Sequence, residues 1–146
     1  MKSDYFSIKE LVCKHVYERY GESAVMFLDD KLIETLNVIR EQILCVPMTV
    51  NNWHAGGNFT QRGLRCNICE LVKSKTDAGS LYLSAHMLGK AVDCNVEGMT
   101  AEEARRLIIA KQELLPYPIR LEDGVSWLHF DLYKNGKNEK VYLFKA

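Results

Sequence analysis

The spacing of apolar residues predicts two amphipathic helices in the first 45 residues. A capping-box pattern at Ser7 and Glu10 begins the first helix, and Gly21 is a natural end for it. We expect the second helix to begin near residues 29–30 and to end before Pro47, because the residue ahead of a proline disfavours helical backbone. The recurring apolar positions are Ile8, Leu11, Val12 and Val16 in the first helix and Leu32, Leu36, Ile39 and Ile43 in the second.

The pattern changes to that of short strands after Met48. We expect strands at residues 48–50, 91–96, 119–122, 127–133 and 140–144. Asp123-Gly124 and Asn135-Gly136 are turn signals between the last three strands. In the strand at 127–133, alternation places Trp127, His129 and Asp131 on one face and Leu128, Phe130 and Leu132 on the other.

One further helix interrupts the strands. A second capping box, at Thr100 and Glu103, begins it, and Pro116 closes it. The segment 51–63 reads as a loop over a site, and Lys73 to Gly79 as an exposed turn. Helices followed by strands predict an α+β fold, with a small, largely antiparallel sheet flanked by helices. We expect one domain over residues 1–146, with a helical N-terminal part over 1–45.

Composition narrows the classes of partner. The 146 residues carry 19 basic and 19 acidic side chains, so no net charge favours nucleic acid or an anionic membrane. No apolar run resembles a signal peptide, and none approaches the roughly 20 residues that span a bilayer. We therefore expect a soluble monomer that is cytoplasmic at synthesis, with no nucleic-acid or membrane partner.

The five cysteines do not predict a disulfide framework, because their number is odd and no export signal is visible. We expect Cys13, Cys45 and Cys94 to be small buried apolar residues. Cys66 and Cys69 form a lone CxxC pair, for which we expect a non-catalytic role. A four-thiolate zinc site would need a second pair, whereas a redox pair would need a strand before it and a helix beginning at its first cysteine. Auxiliary metal binding and redox chemistry both stay open.

Three residues together suggest a metal site. His86 precedes Gly89, which permits a sharply turned loop, and Asp93 follows on a largely apolar strand. A buried carboxylate is costly unless it is paired or bound to a metal, and His129 lies in an equally apolar strand. Two imidazoles and one carboxylate, with the fourth position left to water, are the ligands of a hydrolytic zinc site. We therefore expect Zn²⁺ bound by His86, Asp93 and His129.

The pattern Ser84-x-His86-x-x-Gly89-x-Ala91-x-Asp93, followed by Trp127-x-His129, resembles the zinc D-alanyl-D-alanine carboxypeptidase family. That family includes phage endolysins that cleave L-alanyl-D-glutamate bonds and shares the hedgehog/DD-peptidase fold. The resemblance covers residues 48–133. It implies a zinc metallopeptidase with those three ligands and a peptidoglycan peptide as substrate.

A zinc peptidase also needs a general base and a group that holds the substrate carbonyl. Many family members carry an acid three positions before the last histidine, where this chain has Ser126. In other members the acid ends the preceding strand, which favours Glu122 as the base, with Asp123 as the rival. By resemblance, the residue that holds the carbonyl would come from the 61–65 segment, where Arg62 is preferred, Gln61 is second and Arg65 is the remaining candidate.

Two functions follow from these expectations. The first is a zinc metallopeptidase that hydrolyses a peptide bond in peptidoglycan stem peptides, as a phage or prophage lysin does. The alternative is a non-catalytic zinc-binding domain of a phage structural or cell-wall-binding protein. Ser84 is expected to hydrogen-bond near His86 and orient it. Asp131, on the same strand face as His129, either orients that histidine or forms an ion pair at the strand edge.

Overall fold

A computed structural model describes residues 1–146 and has a mixed α/β fold, in which helices pack around a five-stranded, mostly antiparallel sheet. The α-helices are α1 (Ile8–Leu11), α2 (Lys14–Tyr20), α3 (Asp30–Val38), α4 (Glu70–Asp77) and α5 (Ala101–Ala110). The strands are β1 (Met48–Thr49), β2 (Ala91–Val96), β3 (Ile119–Glu122), β4 (Leu128–Asp131) and β5 (Val141–Phe144). None of the helices is both long and apolar enough to cross a membrane.

The strand order in the sheet is β1-β2-β4-β3-β5. Every neighbouring pair is antiparallel except β3 and β5, which run parallel. The predicted α+β class and largely antiparallel sheet are therefore confirmed. Strands β2 and β4 are adjacent although α5 and β3 separate them in sequence, and their register pairs Asp93 with His129. This pairing fixes the place of the candidate site.

The alternation predicted for β4 is confirmed. Leu128 and Phe130 are fully buried in the hydrophobic core, which α3 and α5 also help to form. His129 and Asp131 lie on the opposite face, beside the cavity that contains Trp127. One strand thus supplies both core packing and polar chemistry, because successive side chains of a strand point to opposite faces.

The first predicted helix is broken into two. Val12 and Cys13 have extended backbone between α1 and α2, and Val12 forms a parallel bridge with Leu64. The amide of Leu64 donates to the carbonyl of Leu11 at 2.8 Å, and the amide of Cys13 donates to the carbonyl of Leu64 at 3.0 Å. A continuous helix would need the Leu11 carbonyl and the Cys13 amide for its own hydrogen bonds, so their pairing with Leu64 interrupts the helix. Gly21 ends α2 as predicted.

The second predicted helix is confirmed, but its last turn widens. After α3 the chain continues as a π-helix over Ile39–Leu44, and Cys45 then adopts a left-handed conformation with φ of 58°. Cys45 is exposed, so the expectation that it is buried was wrong, whereas Cys13 and Cys94 are buried as expected. The end of a helix faces solvent here, which leaves the Cys45 side chain outside the core.

Residues 70–77 form a helix, α4, so the expectation of an exposed turn from Lys73 was wrong. Val72 is the only buried residue of α4, and the helix therefore lacks the repeating apolar face that reveals a helix in a sequence. By contrast, the capping box of α5 is present: the amide of Glu103 donates to the Thr100 hydroxyl at 3.1 Å, and the amide of Thr100 donates to the Glu103 carboxylate at 2.9 Å.

Candidate metal centre

His86, Asp93 and His129 come together as the sequence predicts. One ligand atom from each lies within 4.8 Å of the others, and all three side chains are buried. Asp93 and His129 are cross-strand neighbours on β2 and β4, and His86 comes from the turn before β2. This group could hold a metal ion.

The turn that carries His86 is fixed by its backbone. Gly89 has a φ of +66°, a backbone conformation that other residues rarely adopt. A Cβ atom there would also lie 2.0 Å from the carbonyl oxygen of Phe27, so there is no space for a side chain. The amide of His86 donates to the Ser84 hydroxyl at 3.2 Å, as expected for a serine near the ligand. His86 Nδ1 donates to the carbonyl oxygen of Gly63 at 2.9 Å. Because a carbonyl only accepts, Nδ1 carries a proton, and Nε2 faces Asp93 Oδ2 at 3.2 Å.

Asp93 is an ionised carboxylate surrounded by donors. Its Oδ1 accepts from His129 Nδ1 at 2.7 Å, and its Oδ2 accepts from Arg65 Nη2 at 3.2 Å. Burial alone would raise the pKa of Asp93, but hydrogen bonds from His129 and His86 hold this pKa well below its ordinary value. The carboxylate is therefore charged across the neutral range and available as a metal ligand.

His129 lies between two carboxylates. Its Nδ1 faces Asp93, and its Nε2 donates to Asp131 Oδ2 at 2.8 Å. Asp131 in turn accepts two hydrogen bonds from the Arg120 guanidinium, at 2.8 and 2.9 Å. Burial alone would lower the pKa of His129, but the hydrogen bonds to Asp131 and Asp93 raise it to about 9. Asp131 thus both orients the imidazole and forms an ion pair, the two roles that the sequence left open.

Of the two candidate bases, only Glu122 lies at this site. Its Oε2 is 4.0 Å from His129 Nδ1, and its side chain is 13% exposed within the same cavity. Asp123 instead accepts from the amide of Gly124 and lies 3.8 Å from the Arg105 guanidinium. Ser126 also lies elsewhere, in a separate cavity beside α5.

The two residues expected to hold a substrate carbonyl, Arg62 and Gln61, lie beside the ligand cavity and not in it. Arg62 donates to Asn95 at 3.1 Å and stacks on the ring of Phe59, and Gln61 accepts from the amide of Leu71 at 2.7 Å. Neither lines the cavity that contains the three ligands. Arg65 does line it and pairs with Asp93. Arg65 belongs to the same segment of the sequence as Arg62 and Gln61, which were preferred over it as carbonyl-binding residues.

The ligands lie in an open cavity of about 330 Å³. Trp127, Tyr133 and Phe144 supply aromatic surface, and Phe144 stacks edge-on against the His129 ring at 5.7 Å. Trp53 does not reach this cavity, because its indole donates to the carbonyl of Val12 at 3.2 Å on the other side of the loop. This cavity volume is at the lower end of the roughly 300–1,000 Å³ of small-molecule sites, so the cavity has room for a small ligand.

A second group of possible metal ligands consists of Cys13, His15, Cys66 and Cys69. The sequence did not reveal this group, because the lone CxxC pair lacks the second pair of a four-thiolate site and Cys13 fits a buried apolar position. The signal was the Cys13-x-His15 spacing, which folding brings beside the CxxC pair through the Val12–Leu64 bridge. The helix that follows the CxxC pair is capped by Cys69, its second cysteine, and does not begin at the first as a redox pair requires.

Comparison with protein-family models, curated proteins and solved structures gave no match. The assignment of the candidate site therefore rests on the geometry of its residues and on the sequence pattern.

Proposed function

We propose that this protein is a zinc metallopeptidase that hydrolyses a peptide bond in bacterial peptidoglycan stem peptides. The observation that carries the proposal is the convergence of His86, Asp93 and His129 in an open cavity that also contains Glu122. A purely structural metal site is usually closed by four protein ligands, whereas this group offers three beside accessible space.

Zinc fits the donor set. Two imidazole nitrogens and one carboxylate oxygen are the ligand types of hydrolytic zinc sites. His86 presents Nε2 because its Nδ1 proton is held by Gly63, and His129 presents Nδ1 because its Nε2 faces Asp131. Bound zinc supplies Lewis-acid polarisation of the scissile carbonyl and a lowered pKa for the attacking water.

Glu122 is the residue best placed to move the proton. Its carboxylate lies beside His129 but is not needed as a ligand, so it can accept a proton from the attacking water and pass it to the leaving amine. Arg62 or Gln61 would hold the substrate carbonyl, as the sequence resemblance implies, from an adjoining groove that shares Arg65, Asp93 and Trp127 with the ligand cavity. Arg65 instead holds Asp93 in place as a positioning residue.

The substrate class is supported by the sequence pattern. Two patterns are similar to the motifs of zinc peptidases that cut peptidoglycan peptides: the one from Ser84 to Asp93 that contains His86, and Trp127-x-His129. Phage and prophage lysins are among those enzymes, and we propose that role here. One feature favours the non-catalytic alternative, a phage structural or wall-binding zinc domain: Ser126 stands where many family members carry the base.

The test is digestion of purified peptidoglycan by the zinc-loaded protein, with new amino groups quantified and fragments identified by mass spectrometry. We expect amine release that a chelator stops. Glu122→Gln should lower the rate by about 10²–10⁴-fold, the usual contribution of a general base, while Asp123→Asn should leave it near the parent value. Zinc binding without amine release would instead support the non-catalytic alternative.

A further inference from the structure

Cys13, His15, Cys66 and Cys69 form a second, separate cluster at the junction of α2 and α4. Their ligand atoms all lie within 4.8 Å of one another. The two halves of the cluster are 51 residues apart and are brought together by the backbone pairing of Val12 with Leu64. Free cysteines in one chain have no general reason to gather around a histidine, so this arrangement calls for a shared ligand.

The distances among His15, Cys66 and Cys69 match those of a tetrahedral metal site. Zinc–sulfur bonds of about 2.3 Å and zinc–nitrogen bonds of about 2.0–2.1 Å place two sulfurs ~3.8 Å apart and a sulfur and a nitrogen ~3.6 Å apart. Cys66 Sγ lies 3.7 Å from Cys69 Sγ and 3.5 Å from His15 Nδ1, and Cys69 Sγ lies 3.8 Å from the same nitrogen. A disulfide between Cys66 and Cys69 would require about 2.05 Å.

The backbone around the cluster also suits thiolate ligands. The amide of Cys66 donates to Cys69 Sγ at 3.4 Å, a contact that favours the charged form of the sulfur. Cys69 is the residue before the first turn of α4, where the positive end of the helix dipole stabilises a negative ligand. Three thiolates and one imidazole are the donor set of closed structural zinc sites.

We propose that Cys13, His15, Cys66 and Cys69 bind a structural zinc ion that fastens the 63–66 segment to the start of α2. That segment also serves the first site: Gly63 holds the Nδ1 proton of His86, and Arg65 holds Asp93. The ion would thereby keep two of the hydrolytic ligands oriented. Binding of the ion is independent of the proposed peptidase function, and only this orienting role depends on it.

The first test uses Co²⁺ alone as a probe of the chelator-stripped protein. Cobalt bound to thiolates gives an intense charge-transfer band in the near ultraviolet, which a His/Asp/His site cannot give. We expect the band in the parent protein and in His129→Ala, and its loss in Cys66→Ser. Cys45→Ser is the matched control, because Cys45 is exposed and outside the cluster, and should keep the band. A parent protein without the band would overturn the proposal.

The second test uses a ligand whose removal should not impair folding. His15 is exposed, so His15→Ala should have the parent melting temperature in chelator but a lower one in zinc. His54→Ala, which removes another exposed histidine, should match the parent in both conditions. Equal melting temperatures for His15→Ala and the parent in zinc would contradict the proposal. A retained cobalt–thiolate band with no peptidase activity would count only against the proposed function.

Discussion

Asp131 is the residue whose effect on the candidate centre is easiest to isolate. It accepts from His129 Nε2 while Nδ1 faces Asp93, so it sets which nitrogen His129 would present to a metal ion. We expect Asp131→Asn, which keeps the shape but removes the charge, to weaken zinc binding about 10–100-fold. Chelator competition measures this affinity. Asp123→Asn is the matched control, because Asp123 lies outside the cavity, and parent affinity in Asp131→Asn would refute the orienting role.

Gly63 is a residue where backbone contact decides stability. A Cβ atom at this position would lie 2.2 Å from the carbonyl oxygen of Leu11, so the bridge between Val12 and Leu64 would have to open. We expect Gly63→Ala to cost about 1–3 kcal/mol of unfolding free energy and to weaken zinc binding, since Gly63 also holds His86.

Gly124→Ala is the control for that substitution. It meets no atom within 4 Å, and only its positive φ is strained, which costs roughly 1 kcal/mol without touching the metal ligands. Urea unfolding gives both free energies, and chelator competition gives zinc affinity. Unchanged zinc affinity in Gly63→Ala would mean that His86 does not depend on this contact.

At the scale of elements, α5 holds the turn that carries the proposed base. Arg105 of α5 is buried, and its guanidinium donates to the backbone carbonyls of Glu122, Val125 and Trp127 at 3.1–3.4 Å. Arg105→Met leaves these acceptors without a donor and should cost roughly 2–4 kcal/mol in urea unfolding. Amine release should fall with it, because Glu122 loses its backbone support.

The neighbouring Arg106 provides the comparison on the same helix. Its side chain is 75% exposed and forms an ion pair with Glu102 at 3.2 Å, so Arg106→Met should change the unfolding free energy by no more than about 0.5 kcal/mol. If both variants unfolded alike, the buried contacts of Arg105 would not support the turn.

Elements with strong local signals could be predicted from the sequence, and those set by distant contacts could not. The capping box at Thr100 and the alternation around His129 each identify an element from its own residues. The break at Val12 depends on pairing with Leu64, more than 50 residues away, and the apolar spacing continues through it. The sequence patterns around His86 and His129 likewise identified three candidate metal ligands, whereas the cluster of Cys13 with Cys69 became visible only in the folded chain.

At the scale of the whole molecule, bound zinc should raise the melting temperature. A ligand at about 100 times its Kd stabilises a protein by about 2.7 kcal/mol, and at this chain length each kcal/mol shifts the melting temperature by about 2–4 °C. One occupied site should therefore raise the melting temperature by roughly 5–11 °C, and two sites by more. Calorimetry in zinc, in magnesium and in chelator measures this. Equal values in all three would contradict zinc binding at either site.

The two sites should also depend on each other, because residues 63–66 contact both. His15→Ala removes a ligand of the cysteine site, and His86→Ala removes a ligand of the other site. For each variant, the melting temperature in chelator is subtracted from that in zinc. The resulting zinc-induced rise is free of differences between the metal-free proteins. Independent sites would give losses that add in the double variant. We expect the single losses to sum to more than the double loss, since removing the first ion already loosens Gly63 and Arg65 around His86 and Asp93. Strict additivity would show that the cysteine site stabilises only its own surroundings.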